Sequence, residues 1–308
     1  MEFVETPEAR FSPLHDFPYF PKFAVVDPRG LRMAYIDEGP RDAPPILMLH
    51  GEPSWSYLYR SMIAPCLAAG HRVVAPDMIG FGRSSKPTQL EDYSYQGHVA
   101  WLVALLESLD LRDVTLFAQD WGSLIGLRVA AEHGERFARI AIGNGFLPEG
   151  AVPKGTRGAL NAGAFLAWRA FATYSPWFPI SSIVSFGTAR GLSAAERAAY
   201  DAPFPSPQHC AGARAFPRLV PIEPWNVATA DNRRAWSVLE RWQKPFLTLF
   251  SDGDPITRGL DRSLQRRIPG AAGQPHARVH GGHFLQEDAG AELAARLNAF
   301  VAAAANPR

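Results

Sequence analysis

Short apolar runs alternate with stretches of helical spacing along this chain, and that alternation restricts the fold more than any other feature of the sequence. Residues 33–36 (Met-Ala-Tyr-Ile), 46–49 (Ile-Leu-Met-Leu) and 73–75 (Val-Val-Ala) read as strands of one sheet. Between the last two, Leu58, Met62, Ile63, Cys66 and Leu67 fall at helical spacing, and Gly70 follows as a stop signal. The same rhythm predicts a helix over 95–109, a strand at 114–118, a helix over 124–132 and a strand at 140–142. Strands separated by helices imply an α/β fold with a mainly parallel sheet covered on both faces.

Near Leu147 the rhythm breaks. Residues 147–231 are rich in Pro, Ala, Gly and aromatics, with helical stretches near 162–172 and 194–200, and read as an inserted helical cap domain. The pattern resumes with a strand at 246–250, a helix near 260–267, a short strand at 277–280 and an amphipathic helix over 291–304. Residues 1–146 and 232–308 then form one core domain, and 308 residues suffice for such a domain with an insertion.

Charge excludes several partners. The 31 Lys and Arg against 30 Asp and Glu leave a formal +1, and the basic residues are scattered, so nucleic acid is not an expected partner. Cys66 and Cys210 have neither the number nor the spacing of a disulfide framework or a zinc site, and read as buried thiols in a reducing compartment. The N-terminal residues lack a basic, then apolar leader, and no apolar run approaches a membrane span of about 18 residues. A cytoplasmic monomer without metal or cofactor is the expectation.

In open α/β sheets, functional groups collect beyond the carboxyl ends of the strands. The strand at 114–118 runs through Gln119-Asp120-Trp121-Gly122 straight into a helix, as in a nucleophile elbow, with Asp120 at its apex and small Ala118 and Gly122 nearby. Asp120 alone could equally be a helix N-cap. The strand at 246–250 ends in Ser251-Asp252-Gly253-Asp254-Pro255 and the strand at 277–280 in Gly281-Gly282-His283. Nucleophile, acid, histidine is the chain order of an α/β-hydrolase triad. His283 is the candidate base. Asp254 is preferred to Asp252 as the acid because the residue before proline is pushed toward extended backbone. His50-Gly51-Glu52-Pro53 follows the strand at 46–49, where backbone N–H groups of Glu52 and Trp121 would form an oxyanion hole. No Gly-x-Ser-x-Gly occurs.

A carboxylate nucleophile restricts the chemistry. A serine alkoxide attacking saturated carbon would leave an ether, whereas a carboxylate leaves an ester that activated water can cleave. A carboxyl group is ionised at neutral pH, so the base is needed only for the second step. The leaving group separates the remaining readings. An opened epoxide needs a proton, from a cap phenol such as Tyr174 or Tyr200. A halide needs only donors, such as the indole N–H groups of Trp121 and one of Trp168, Trp177 or Trp225.

His50-Gly51-Glu52-Pro53-Ser54-Trp55, Asp77-Met78-Ile79-Gly80-Phe81-Gly82-Arg83-Ser84, Gln119-Asp120-Trp121-Gly122-Ser123 and His283-Phe284-Leu285-Gln286-Glu287 together resemble the signatures of the haloalkane dehalogenases. The resemblance runs nearly end to end. It implies an α/β-hydrolase fold with a mainly parallel eight-stranded sheet, and hydrolysis of small halogenated aliphatic substrates by water to alcohol, halide and a proton. By position it implies Asp254 as acid, Trp168 as the second halide-binding tryptophan and Phe165 as a pocket residue. Glu52 and Asn144 mark the branch whose acid follows the strand after the cap. An epoxide hydrolase with the same nucleophile and a non-catalytic ligand receptor on a hydrolase fold are the rival readings.

Overall fold

The computed structural model describes residues 1–150 and 155–305, so the cap residues 151–154 lie outside the described residues. Eight strands form the main sheet: β1 (Lys22–Val25), β2 (Arg32–Glu38), β3 (Pro45–Leu49), β4 (Arg72–Pro76), β5 (Val114–Gln119), β6 (Phe137–Gly143), β7 (Phe246–Ser251) and β8 (Ala277–Val279). Their spatial order is β1-β2-β4-β3-β5-β6-β7-β8. β3 to β8 run parallel and β2 is antiparallel to both its neighbours.

β3, β4, β5 and β7 are buried at every position, as strands covered on both faces must be. The cover comes from α1 (Arg60–Ala68) packed with α10 (Leu285–Ala305), and from α3 (Trp121–Glu132) packed with α2 (Tyr95–Ser108) and α8 (Val227–Leu239). Gly70 ends α1 in a left-handed conformation, φ 85°, while the His71 N–H donates back to the Cys66 carbonyl at 3.1 Å. α9 (Leu260–Arg267) lies against β7.

Between β6 and α8 come the cap helices α4 (Gly155–Tyr174), α5 (Ile180–Phe186), α6 (Ala194–Asp201) and α7 (Ala211–Leu219). α6 begins at a reciprocal capping box between Ser193 and Glu196. The segments that leave and re-enter the core are stitched together: Trp236 Nε1 donates to the Leu147 carbonyl at 2.9 Å, Asn232 Nδ2 to Pro148 at 2.7 Å and Arg233 Nε to Glu149 at 3.1 Å. α8 runs unbroken through the expected boundary at residues 231 and 232, because its first turns already belong to this clamp.

Four of these elements lie outside the sequence expectations: β1 is a half-exposed edge strand, α5 is only seven residues long, α7 contains Pro217, and α8 straddles the expected domain boundary.

Candidate active site

β5 passes into α3 through one residue. Asp120 has φ 49° and ψ −127°, a conformation that costs a non-glycine residue on the order of 1–3 kcal/mol. Close packing permits it. A Cβ on Gly122 would lie 2.0 Å from the Leu49 carbonyl oxygen, and one on Gly51 would lie 2.5 Å from Asp120 Oδ1. Asp120 occupies the N-cap position, yet its side chain makes no cap bond. Ser123 instead donates from N and Oγ to the Asp120 carbonyl at 2.8 and 2.6 Å, which leaves the carboxylate turned away from the helix.

That carboxylate meets two of the sequence-predicted groups. The Glu52 N–H donates to Oδ1 at 2.8 Å, and His283 Nε2 stands 3.5 Å from Oδ2. The Trp121 N–H belongs to the first turn of α3, where a helix supplies no internal acceptor. His283 Nδ1 is 3.1 Å from Asp254 Oδ2. Asp254 is 1% exposed, and its carboxylate also accepts the N–H groups of Ile256 at 2.9 Å and Thr257 at 3.2 Å and the Thr257 hydroxyl. Asp252, with a side chain 55% exposed, accepts from the Gly281 N–H and pairs with His280. Of the two candidate acids, Asp254 is therefore the one that meets the His283 ring.

Electrostatics follow from this packing. Burial would raise Asp254, but its bonds to His283 and Thr257 hold it below the usual carboxylate range. Burial likewise works against a charged His283, yet hydrogen bonds and charge from Asp120 and Asp254 prevail and push its pKa up to about 10. Glu52 is driven well above the ordinary glutamate value, by burial first and by the Asp120 charge second.

Two supporting residues had no role in the sequence reading of the triad. Gln119 Nε2 lies 3.2 Å from His283 Nε2 and donates to the His283 carbonyl at 3.2 Å. Asn144 accepts the Asp120 N–H through its carbonyl at 3.1 Å, while its Nδ2 donates to the carbonyls of Gly282 and His283 at 2.9 and 3.0 Å. Strand-end position was the available signal for both.

The aromatic residues divide into two groups. The buried Trp121 indole lies 5.5 Å from Tyr95 and 4.4 Å from Phe216, a cap residue the sequence did not single out. Trp168, on α4, stacks on Phe171 at 5.7 Å and tilts against Phe178 at 5.9 Å. Phe165 packs partly buried under the Arg169 guanidinium, 5.5 Å from its centroid. Among the described residues no ring contact joins Trp168 to Trp121. Trp177 and Trp225 are exposed. Tyr174 is 82% exposed, and the buried Tyr200 donates its hydroxyl to the Glu287 carboxylate.

Comparison with known proteins identifies the family. A family model described as the alpha/beta hydrolase fold matches residues 44–290. A haloalkane dehalogenase of Mycolicibacterium paratuberculosis is 56% identical over 300 residues, covering 96% of this chain and 97% of the relative. One from Psychrobacter cryohalolentis is 50% identical over 305 residues, covering 98% of both. Among solved structures, the tetrameric haloalkane dehalogenase DpaA from Paraglaciecola agarilytica NO2 superposes with a TM-score of 0.88 at 34% identity, covering 96% of this chain and 97% of that one.

Proposed function

The chain belongs to the haloalkane dehalogenases of the α/β-hydrolase fold, and from that membership we propose that Asp120 attacks the halogen-bearing carbon and His283 completes the reaction. The enzyme is a hydrolase of carbon–halogen bonds. In the first step an Asp120 carboxylate oxygen forms a bond to carbon as the halide leaves with the bonding electron pair. In the second, water adds to the ester carbonyl, a proton passes to His283 Nε2, and the alcohol departs as the carboxylate re-forms. The observation that carries this reading is the Asp120 carboxylate held between the Glu52 N–H and the His283 imidazole, with Asp254 behind the ring.

Esterification removes the Asp120 charge, one of the influences that keep His283 protonated. The base becomes competent once the alkyl-enzyme exists. The N–H groups of Glu52 and Trp121 hold the tetrahedral oxyanion, and the indole N–H groups of Trp121 and Trp168 hold the halide. Phe165 lines the apolar end of the pocket. The second indole is assigned to Trp168 by position on α4, and the exposure of Trp177 and Trp225 supports that choice.

An epoxide opener would need a phenol over Asp120. Tyr200 is already bonded to Glu287 and Tyr174 faces solvent, so the leaving group that fits is a halide. We assign the chain to the branch whose acid follows the strand after the cap. The contact of Asp254 with His283 supports this, as do the backbone bonds that occupy the Asn144 amide.

The two cysteines remain buried thiols, which supports cytoplasmic placement; among the described residues no helix is long and apolar enough to cross a membrane. We propose that the chain is a monomer; sedimentation tests this, and a mass four times that of one chain, as in the tetrameric Paraglaciecola relative, would overturn it.

The deciding experiment is mass spectrometry of His283→Phe protein after incubation with a bromoalkane. An alkyl group accumulating on the peptide that contains Asp120 is expected; full turnover without His283 would overturn its role.

A further inference from the structure

Four residues beyond His283, Glu287 enters a buried ionic cluster that crosses from the core into the cap. Glu287 Oε2 accepts from Arg60 Nη2 at 2.6 Å and from Arg190 Nη2 at 2.7 Å, and the Tyr200 hydroxyl donates to Oε1. Glu196 Oε1 accepts from Arg60 Nη2 at 2.7 Å and Arg190 Nη2 at 2.6 Å, and its Oε2 from Arg190 Nη1 at 3.0 Å. Arg60 and Glu287 stand on α1 and α10 of the core; Glu196 and Tyr200 stand on α6 of the cap, and Arg190 on the connector before it. Two guanidinium groups, one of them partly exposed, face two carboxylates, so the charges balance as a set.

The same connector grips the histidine loop. Arg190 Nε donates to the Glu287 carbonyl at 2.9 Å, and Asp288 accepts the N–H groups of Ala189 at 2.9 Å and Arg190 at 3.1 Å. Asp288 also accepts the Gly282 N–H at 2.8 Å, while the Gly187 carbonyl accepts the Phe284 N–H at 3.0 Å. The residues on either side of His283 are thus both fastened to the cap connector, directly or through Asp288. Packing leaves little slack: a Cβ on Gly187 would lie 2.6 Å from the Phe284 ring, and one on Gly282 would lie 2.4 Å from the Gly187 carbonyl oxygen.

We propose that Arg190 is a positioning residue for the hydrolytic half of the reaction, holding the cap connector that aims His283 at the Asp120 ester. The inference rests on Asp120 being the alkylated group. Attack by Asp120 needs no base, whereas ester cleavage requires His283 and water in register, and a displacement of about 1 Å can cost on the order of 100-fold. Loosening the connector therefore slows the second step and spares the first. Arg190 is the member to change, because its side chain is 42% exposed whereas that of Arg60 is 5% exposed.

The test is pre-steady-state and steady-state halide release from a bromoalkane by full-length wild type, Arg190→Met, Arg190→Lys and Asp288→Asn, with intact-protein mass spectrometry during turnover. Arg190→Met is expected to keep the wild-type halide burst and kcat/KM, to lose about 10- to 100-fold in kcat, and to carry an alkyl adduct at steady state. Arg190→Lys is expected to recover part of kcat. Asp288→Asn, which loosens the same connector without removing an arginine, should repeat the pattern and stands in for Arg190→Met if that variant does not fold. Burst and kcat/KM falling together with kcat, or an unchanged kcat, would overturn the positioning role. A wild type that releases halide without ever gaining alkyl mass at Asp120, even as His283→Phe, overturns the underlying reading instead.

Discussion

Asn144 and Ser251 are joined reciprocally: the Ser251 N–H donates to Asn144 Oδ1 at 2.9 Å, and Asn144 Nδ2 donates to Ser251 Oγ at 2.9 Å. The ends of β6 and β7 are locked together, and the remaining Asn144 bonds extend the lock to the carbonyls of Gly282 and His283. One amide thus braces the floor from which Asp120, Asp254 and His283 rise.

Removing that brace should be costly. Asn144→Ala leaves the Ser251 N–H without its partner and takes one donor from each of the Gly282 and His283 carbonyls, which keep Ser251 Oγ and Gln119 Nε2, and is expected to lose roughly 1–3 kcal/mol in denaturant unfolding. A loss under about 0.5 kcal/mol, typical of surface changes, would show that the amide is dispensable to the framework.

Acid identity is testable by a matched pair. Asp254→Asn should lower kcat by about 100-fold or more, since the partner of His283 Nδ1 is lost. Asp252→Asn, whose carboxylate meets Gly281 and His280 rather than His283, should stay within about twofold. Comparable losses in the two variants would show that the contact to His283 does not define the acid.

Halide affinity, read from quenching of tryptophan fluorescence by bromide, separates the indoles. Trp121→Phe and Trp168→Phe each delete one donor to an anion and should weaken binding by roughly 10- to 100-fold. Trp177→Phe and Trp225→Phe should leave it unchanged. Unaltered affinity in Trp168→Phe would move the cap donor elsewhere.

The His283 site also makes stability depend on pH. Its pKa rises from 6.5 to about 10 on folding, so its contribution is complete below about pH 6.5 and is lost as pH climbs toward 10. In paired denaturation curves, the stability advantage of wild type over His283→Gln should shrink between pH 6.5 and 10. The comparison cancels the titration of groups remote from His283. An advantage that grows with pH would reverse the assigned sign.

Much of the framework was legible because burial imposes periodicity. The apolar runs at 46–49, 114–118 and 246–250 are strands at every residue, and each chemical group expected at a strand end is there. β1 escaped because only one of its faces is partly covered, so Lys22-Phe23-Ala24-Val25 shows no distinct apolar run. α7 escaped because Pro217 interrupts its pattern, and with it went the Phe216 contact to Trp121. The ionic cluster leaves no local trace: Arg60 and Glu287 are 227 positions apart and meet only when the two ends of the chain close on each other. For the cap tryptophans, sequence position names a helix but not the direction of an indole.

Tyr200 carries a consequence for retooling. Its phenol is engaged by Glu287 inside the junction of the two domains, so recruiting it for oxirane opening would dismantle the junction. A designer seeking that chemistry on this scaffold would have to graft a fresh proton donor elsewhere around Asp120, since what stands in the way is carpentry rather than the nucleophile.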